Sequence, residues 1–104
     1  MGYVLAMIRD DDGIRTIEGT TDASSAKICL IVSRFNELVT ESLRMGAVSA
    51  LRRAGADPAN VTVVRVPGAW ELPGAAAQAV ASGSFDAIVA LGCLIRGDTL
   101  HYEL

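Results

Sequence analysis

Lys27-Ile28-Cys29-Leu30-Ile31-Val32-Ser33-Arg34-Phe35-Asn36 is the stretch whose reading decides the fold. From Lys27 onward, Ile28-Cys29-Leu30-Ile31-Val32 form an apolar run rich in β-branched side chains. A strand with one wet face alternates apolar with polar residues, so an unbroken apolar run predicts a strand buried on both faces. Behind it, Asn36 is a good N-cap for a helix from about Glu37 to Ala54. Leu38, Val39, Leu43, Met45, Ala47, Val48 and Leu51 give that segment helical spacing. Glu37 and Glu41 in its early turns and Arg52 and Arg53 in its last complement the helix dipole. Gly55 ends it.

The same unit then repeats. Asp57-Pro58 makes a turn, Val61–Val66 is a second buried strand, and Pro67-Gly68 breaks it. A helix from about Glu71 to Ala81 follows, with Pro73 tolerated in its first turn and Gly83 at its end. Asp86–Leu91 is a third strand, followed by a loop through Arg96-Gly97-Asp98, and Asp98 or Thr99 can cap the first turn of a third helix. The order β-α-β-α-β-loop-(α) with apolar strands predicts a parallel sheet covered by helices on both faces. Before Lys27 the pattern is weaker. Val4–Ile8 and Ile14–Ile17 read either as two short strands joined at Asp12-Gly13 or as an extension without fixed structure. Asp10-Asp11-Asp12 reads as a solvated turn rather than a metal site, because adjacent carboxylates on a turn point apart.

Composition narrows the function. The 104 residues are 51% hydrophobic and 20% charged, which argues against disorder. A net charge of −3, with Arg52-Arg53 the longest basic group, gives no footprint for nucleic acid. The apolar segment Tyr3–Ile8 is too short for a signal sequence or a membrane span. Cys29 and Cys93 both sit in apolar runs and form no C-x-x-C pair, so neither zinc nor redox chemistry is supported. Two such cysteines fit a cytoplasmic protein.

In open parallel sheets, ligands bind beyond the carboxyl ends of the strands. That rule selects the loops 33–36, 67–71 and 92–99. The first offers Phe35, which can stack on a planar ring or pack at the core's rim. The second offers Gly68, where backbone can approach a ligand, together with Ala69, Trp70 and Glu71. Trp70 reads equally as a packing residue. Glu71 is either an acceptor for hydroxyls or simply an acid at a helix start. The third loop enters a helix N-terminus and is a plausible anion cradle, though neither Gly-Lys-Ser/Thr nor Gly-x-Gly-x-x-Gly is present. His101, the one histidine, follows beside it and suits proton transfer near neutral pH.

These residues resemble one family. Ser33-Arg34-Phe35-Asn36, Val66-Pro67-Gly68-Ala69-Trp70-Glu71-Leu72-Pro73 and Ala90-Leu91-Gly92-Cys93-Leu94-Ile95-Arg96-Gly97-Asp98-Thr99-x-His101 are similar to three signatures of 6,7-dimethyl-8-ribityllumazine synthase, in its order and spacing. The resemblance runs from about Ile17 to Leu104, with residues 1–16 as an extension before it. It implies an α/β fold, a three-layer flavodoxin-like doubly wound parallel sheet. It also implies a transferase of riboflavin biosynthesis that condenses 5-amino-6-(D-ribitylamino)uracil with 3,4-dihydroxy-2-butanone 4-phosphate, without metal or organic cofactor.

On that resemblance Phe35 stacks on the pyrimidine. Ala69, Trp70 and Glu71 line the ribityl pocket. Cys93, Leu94 and Ile95 hold the pyrimidine edge through their backbone. Asp98 and Thr99 meet the phosphate, and His101 transfers protons. The family's sites lie between subunits of a homo-oligomer, a pentamer or a shell of pentamers. Its pattern continues with two further β-α units, which carry an aromatic residue and an Arg for a neighbour's site; the sequence lacks them, so the fold is expected to be C-terminally incomplete. The alternative role is a non-catalytic assembly domain, or a ribityl-pyrimidine or flavin binder, on the same fold.

Overall fold

The structure, a computed structural model, describes residues 5–11 and 13–96. The expected third helix and the residues Asp98, Thr99 and His101 lie outside them. The described elements are β1 (Leu5–Asp11), β2 (Ile14–Gly19), β3 (Ile28–Ser33), α1 (Glu37–Arg53), β4 (Val61–Val66), α2 (Leu72–Ser82) and β5 (Ala87–Leu91). Of the two readings before Lys27, the paired strands are the one found. β1 and β2 form an antiparallel hairpin, with Asp11 opposite Ile14 and Gly13 at φ 79° in the turn. Only glycine occupies such a φ without strain.

The sheet that positions the site has strand order β4-β3-β5, all parallel. Ile28 lies opposite Val61 on one side and Ala87 on the other. β3 is therefore central, and all six of its residues are buried. Its alternating side chains serve two cores. Ile28, Leu30 and Val32 face Ala47, Val48 and Leu51 of α1. Cys29 and Ile31, with Val66, face Leu72, Ala75, Ala76 and Ala79 of α2. The helices thus cover opposite faces. Right-handed crossovers require this, because the chain moves from β3 outward to β4 and then back past β3 to β5.

The expectation of burial on both faces holds for β3 and is corrected for the other two strands. Among the described residues β4 and β5 each pair on one side only, and Val63 and Val89 stay partly exposed. The apolar run marks a strand that belongs in a sheet interior, but two helices of 17 and 11 residues roof fully only the middle one.

Asn36 stands at the N-cap of α1 but not as expected. Its backbone is left-handed (φ 56°, ψ 64°), and its side chain makes no capping hydrogen bond. Its carbonyl serves instead, accepting from the amides of Val39 (3.0 Å) and Thr40 (3.1 Å) and from Thr40 Oγ1 (3.4 Å). Asparagine tolerates this φ better than most residues, so the sharp exit from β3 explains the residue where capping does not. The second helix also begins differently. Ala69–Glu71 forms a 3-10 turn, and the α-helix proper starts at Leu72 with Pro73 in its first turn. Gly83, at φ 67°, closes α2 as expected.

Candidate functional site

Ser33, Val66 and Leu91 end the three parallel strands, and the loops after them meet at one edge of the sheet. The first two are tied together by the Arg34 amide, which donates to the Val66 carbonyl at 2.7 Å. The second and third meet at Gly92. A Cβ placed there would stand 2.8 Å from Leu72 Cδ1, 3.6 Å from Ser33 Oγ and 3.7 Å from Ala69 Cβ. Gly92 is therefore glycine for close approach, at the point where all three loops converge. β3 and β5 flank this point: the chain leaves β3 toward β4 on one side and reaches β5 on the other, and a strand order that changes direction in this way is the usual place for a ligand cleft in such sheets.

Around the junction the described site residues fall as follows. Phe35 is 52% exposed and Trp70 76% exposed, so neither is a core residue, and Phe35 sits either at the core's rim or open to a ligand. Ala69 is half-buried beneath Gly92. The Glu71 carboxylate folds back over Gly68, with Oε2 3.3 Å from the place of a Cβ there, while the Glu71 amide donates to the Gly68 carbonyl at 3.2 Å. Gly68 thus lets a short turn bring the carboxylate to the strand ends. Leu94 and Ile95 are about half exposed and Cys93 is half-buried. Among the described residues, the backbones of Cys93, Leu94 and Ile95 make no loop hydrogen bond, which leaves their amides and carbonyls for a ligand.

The edge thus presents two exposed aromatic rings, one carboxylate and a run of backbone groups that lack partners among the described residues. That set can hold a flat heterocycle with hydrogen-bonding edges and a hydroxylated chain. Among the described residues no group of three His, Cys, Asp or Glu side chains could hold a metal ion. Cys29 is buried in the α2-side core, which pushes its thiol pKa up and makes it a poor nucleophile. A shallow apolar cavity of about 150 Å³ lies elsewhere, where β4 begins, lined by Val48, Leu51, Arg52, Ala56, Pro58 and Val61. It holds none of the chemistry-bearing residues.

Electrostatics stiffen one flank of this edge. Arg65, next to last in β4, donates to Glu41 of α1 at 3.1 Å, and Arg44 donates to the same carboxylate. The hydrogen bond from Arg65, followed by that from Arg44, holds the Glu41 carboxyl below its usual range. Two residues gain meaning that sequence did not supply. Gly92 is one. The other is Ser33, whose hydroxyl is buried at the loop junction with no hydrogen-bond partner. The strand-end position was a signal for Ser33, but an unpaired hydroxyl leaves no mark in sequence.

A family model described as 6,7-dimethyl-8-ribityllumazine synthase matches residues 25–104. The protein of that name from Chlorobium phaeobacteroides (strain BS1) is 45% identical over 91 residues, or 88% of this chain. Those residues cover 59% of the Chlorobium protein, so the chain spans about three-fifths of that relative's length. The matched region takes in all three strand-end loops.

Proposed function

Because this chain belongs to the 6,7-dimethyl-8-ribityllumazine synthase family, we propose that its strand-end loops bind 5-amino-6-(D-ribitylamino)uracil. We propose further that they serve its condensation with 3,4-dihydroxy-2-butanone 4-phosphate, the penultimate step of riboflavin biosynthesis. One observation carries the reading most: Phe35, Ala69–Glu71 and Cys93–Ile95 share the carboxyl edge of β3, β4 and β5, around Gly92.

Each group has a task. The exposed Phe35 ring stacks on the pyrimidine. The backbone of Cys93, Leu94 and Ile95 pairs with the heterocycle's edge. Ala69 and Trp70 wall the ribityl chain, and the Glu71 carboxylate accepts from its hydroxyls. Asp98 and Thr99 bind the phosphate and His101 moves protons; these three enter on the family's pattern alone. Imine formation, phosphate loss and ring closure each shift protons, so one imidazole with a pKa near neutrality can serve in turn as acid and base. Most of the rate gain comes from holding two reactants side by side.

The working form we propose is a homo-oligomer, a pentamer or a shell of pentamers, with the site between subunits. Its support is the outward face of α1, where Leu38 is 84% and Met45 59% exposed. Residues 17–104 make the family domain and residues 1–16 precede it as an extension. The free thiols of Cys29 and Cys93 fit the cytoplasm, and among the described residues no helix is long and apolar enough to cross a membrane.

The test is to mix the chain with both substrates and follow ribityllumazine formation, alongside calorimetric binding of the ribityl-pyrimidine alone. Product formation is the expected result. His101→Ala should slow turnover without abolishing it, since positioning remains. Binding without turnover would instead favour a non-catalytic role, and absence of both would remove the proposal.

A further inference from the structure

Ser33 closes the central strand, is 1% exposed, and its Oγ has no hydrogen-bond partner. The other buried polar side chain among the described residues, Thr40, is paired with the Asn36 carbonyl. Leaving a buried hydroxyl unpaired costs free energy, and native proteins rarely do so without reason. The place is specific. Ser33 shares the α2-side face of β3 with Cys29 and Ile31, and its Oγ lies 3.6 Å from the Cβ position of Gly92, where the three loops converge. The loop that begins at Gly92 carries backbone groups of Cys93, Leu94 and Ile95 that also lack partners among the described residues. The unpaired hydroxyl thus lies beside the first residue of that loop.

We propose that Ser33 is a positioning residue, whose hydroxyl pairs with the backbone of the 92–95 loop when that loop seats on a bound ribityl-pyrimidine. The inference rests on the functional reading above and adds to it a residue that touches no substrate atom. The hydroxyl is too enclosed for a ligand to reach, so its partner has to come from the loop. In the free chain it is a cost; in the complex it fixes the height of the backbone that reads the heterocycle's edge. Binding thereby satisfies a group that the empty site leaves unpaired, and the loop's seated position gains at the expense of the free one.

The consequence is a pair of effects with opposite signs, which a purely structural serine does not produce. The experiment compares the wild-type chain with Ser33→Ala and Ser33→Cys, the second keeping the volume with a much weaker donor. Thermal midpoints are read without ligand, and 6,7-dimethyl-8-ribityllumazine is titrated calorimetrically. Expected are midpoints equal to or above wild type for Ser33→Ala, and an affinity weakened about five- to tenfold in both variants, the size of one lost hydrogen bond. A lowered midpoint or failure of Ser33→Ala to fold means that the hydroxyl is already paired in the free chain and overturns the proposal. Unchanged affinity overturns it, as does wild-type affinity in Ser33→Cys, which reduces the role to filling space. No titration by the wild-type chain removes the functional reading and this inference together. Wild-type binding with insensitive variants removes this inference alone.

Discussion

Asn36 illustrates how much one residue's backbone decides. It turns the chain out of β3 in a left-handed conformation, directly after the exposed Phe35, and starts α1 with its carbonyl alone. If φ is the reason for asparagine, Asn36→Gly keeps stability near wild type, while Asn36→Ser loses about 1 kcal/mol in urea unfolding. Serine caps as well as asparagine does, so equal stability of the serine variant would restore the capping explanation. Gly92 makes the matching case for space. Gly92→Ala puts a methyl 2.8 Å from Leu72 Cδ1, a side chain packed in the α2-side core. The expected loss is about 1–3 kcal/mol by denaturant titration, as for other overpacked sites. Neither property was legible in the sequence. Residue type narrows φ and neighbour distance but does not fix them, so Asn36 reads as a cap and Gly92 as one more loop glycine.

At the level of elements, the apolar runs predicted three strands and two helices with boundaries within a residue or two, because period and punctuation are local properties. Burial of each strand is not local. Leu30 and Ile31 have no exposed surface, whereas Val89 is 39% exposed on a strand with the same apolar character. Ile31→Ala should therefore cost about 2–5 kcal/mol, and Val89→Ala about 1 kcal/mol or less, in the same unfolding assay. Against a typical total of about 5–15 kcal/mol, the first change threatens the fold. The tie between α1 and β4 responds to pH. Glu41 has its pKa lowered in the folded chain, by Arg65 first and Arg44 second, from an ordinary value of 4.5. Its contribution to stability is thus complete above 4.5 and is lost as pH falls through the lower folded value. Glu41→Gln should unfold at lower urea than wild type at pH 7 and converge with it toward pH 3. A gap of constant size would show that the carboxylate's charge is not what ties helix to strand.

For the whole molecule, the two exposed regions are unlike each other. The loop edge mixes aromatic, acidic and backbone polar groups, as a ligand site does. The outward side of α1 carries exposed Leu38, Val39, Leu43 and Met45, with Ser42, Ser49 and Arg53 exposed among them. Leu38 and Met45, seven residues apart, lie along one line of the helix, and Val39 and Leu43, four apart, lie along another, with Ser42 and Ser49 between. These four side chains are more than two-fifths exposed, and Glu41 and Arg44 lie beside them, already paired with each other and with Arg65. The sequence disclosed the helical period of the apolar positions but not that they serve two sides. The run is longer than one core needs, and only packing against β3 shows that Ala47, Val48 and Leu51 take the inner side. Exposed Leu38 and Met45 are what the proposed assembly with further copies of the chain would cover. In sedimentation velocity the wild-type chain should run as an oligomer, and Leu38→Glu/Met45→Glu should run as a monomer that keeps its far-ultraviolet circular dichroism. If, as proposed, the site lies between subunits, the same double variant should lose condensation activity while Phe35, Glu71 and the 92–95 loop remain intact. A monomeric variant with full turnover would place the whole site within one chain.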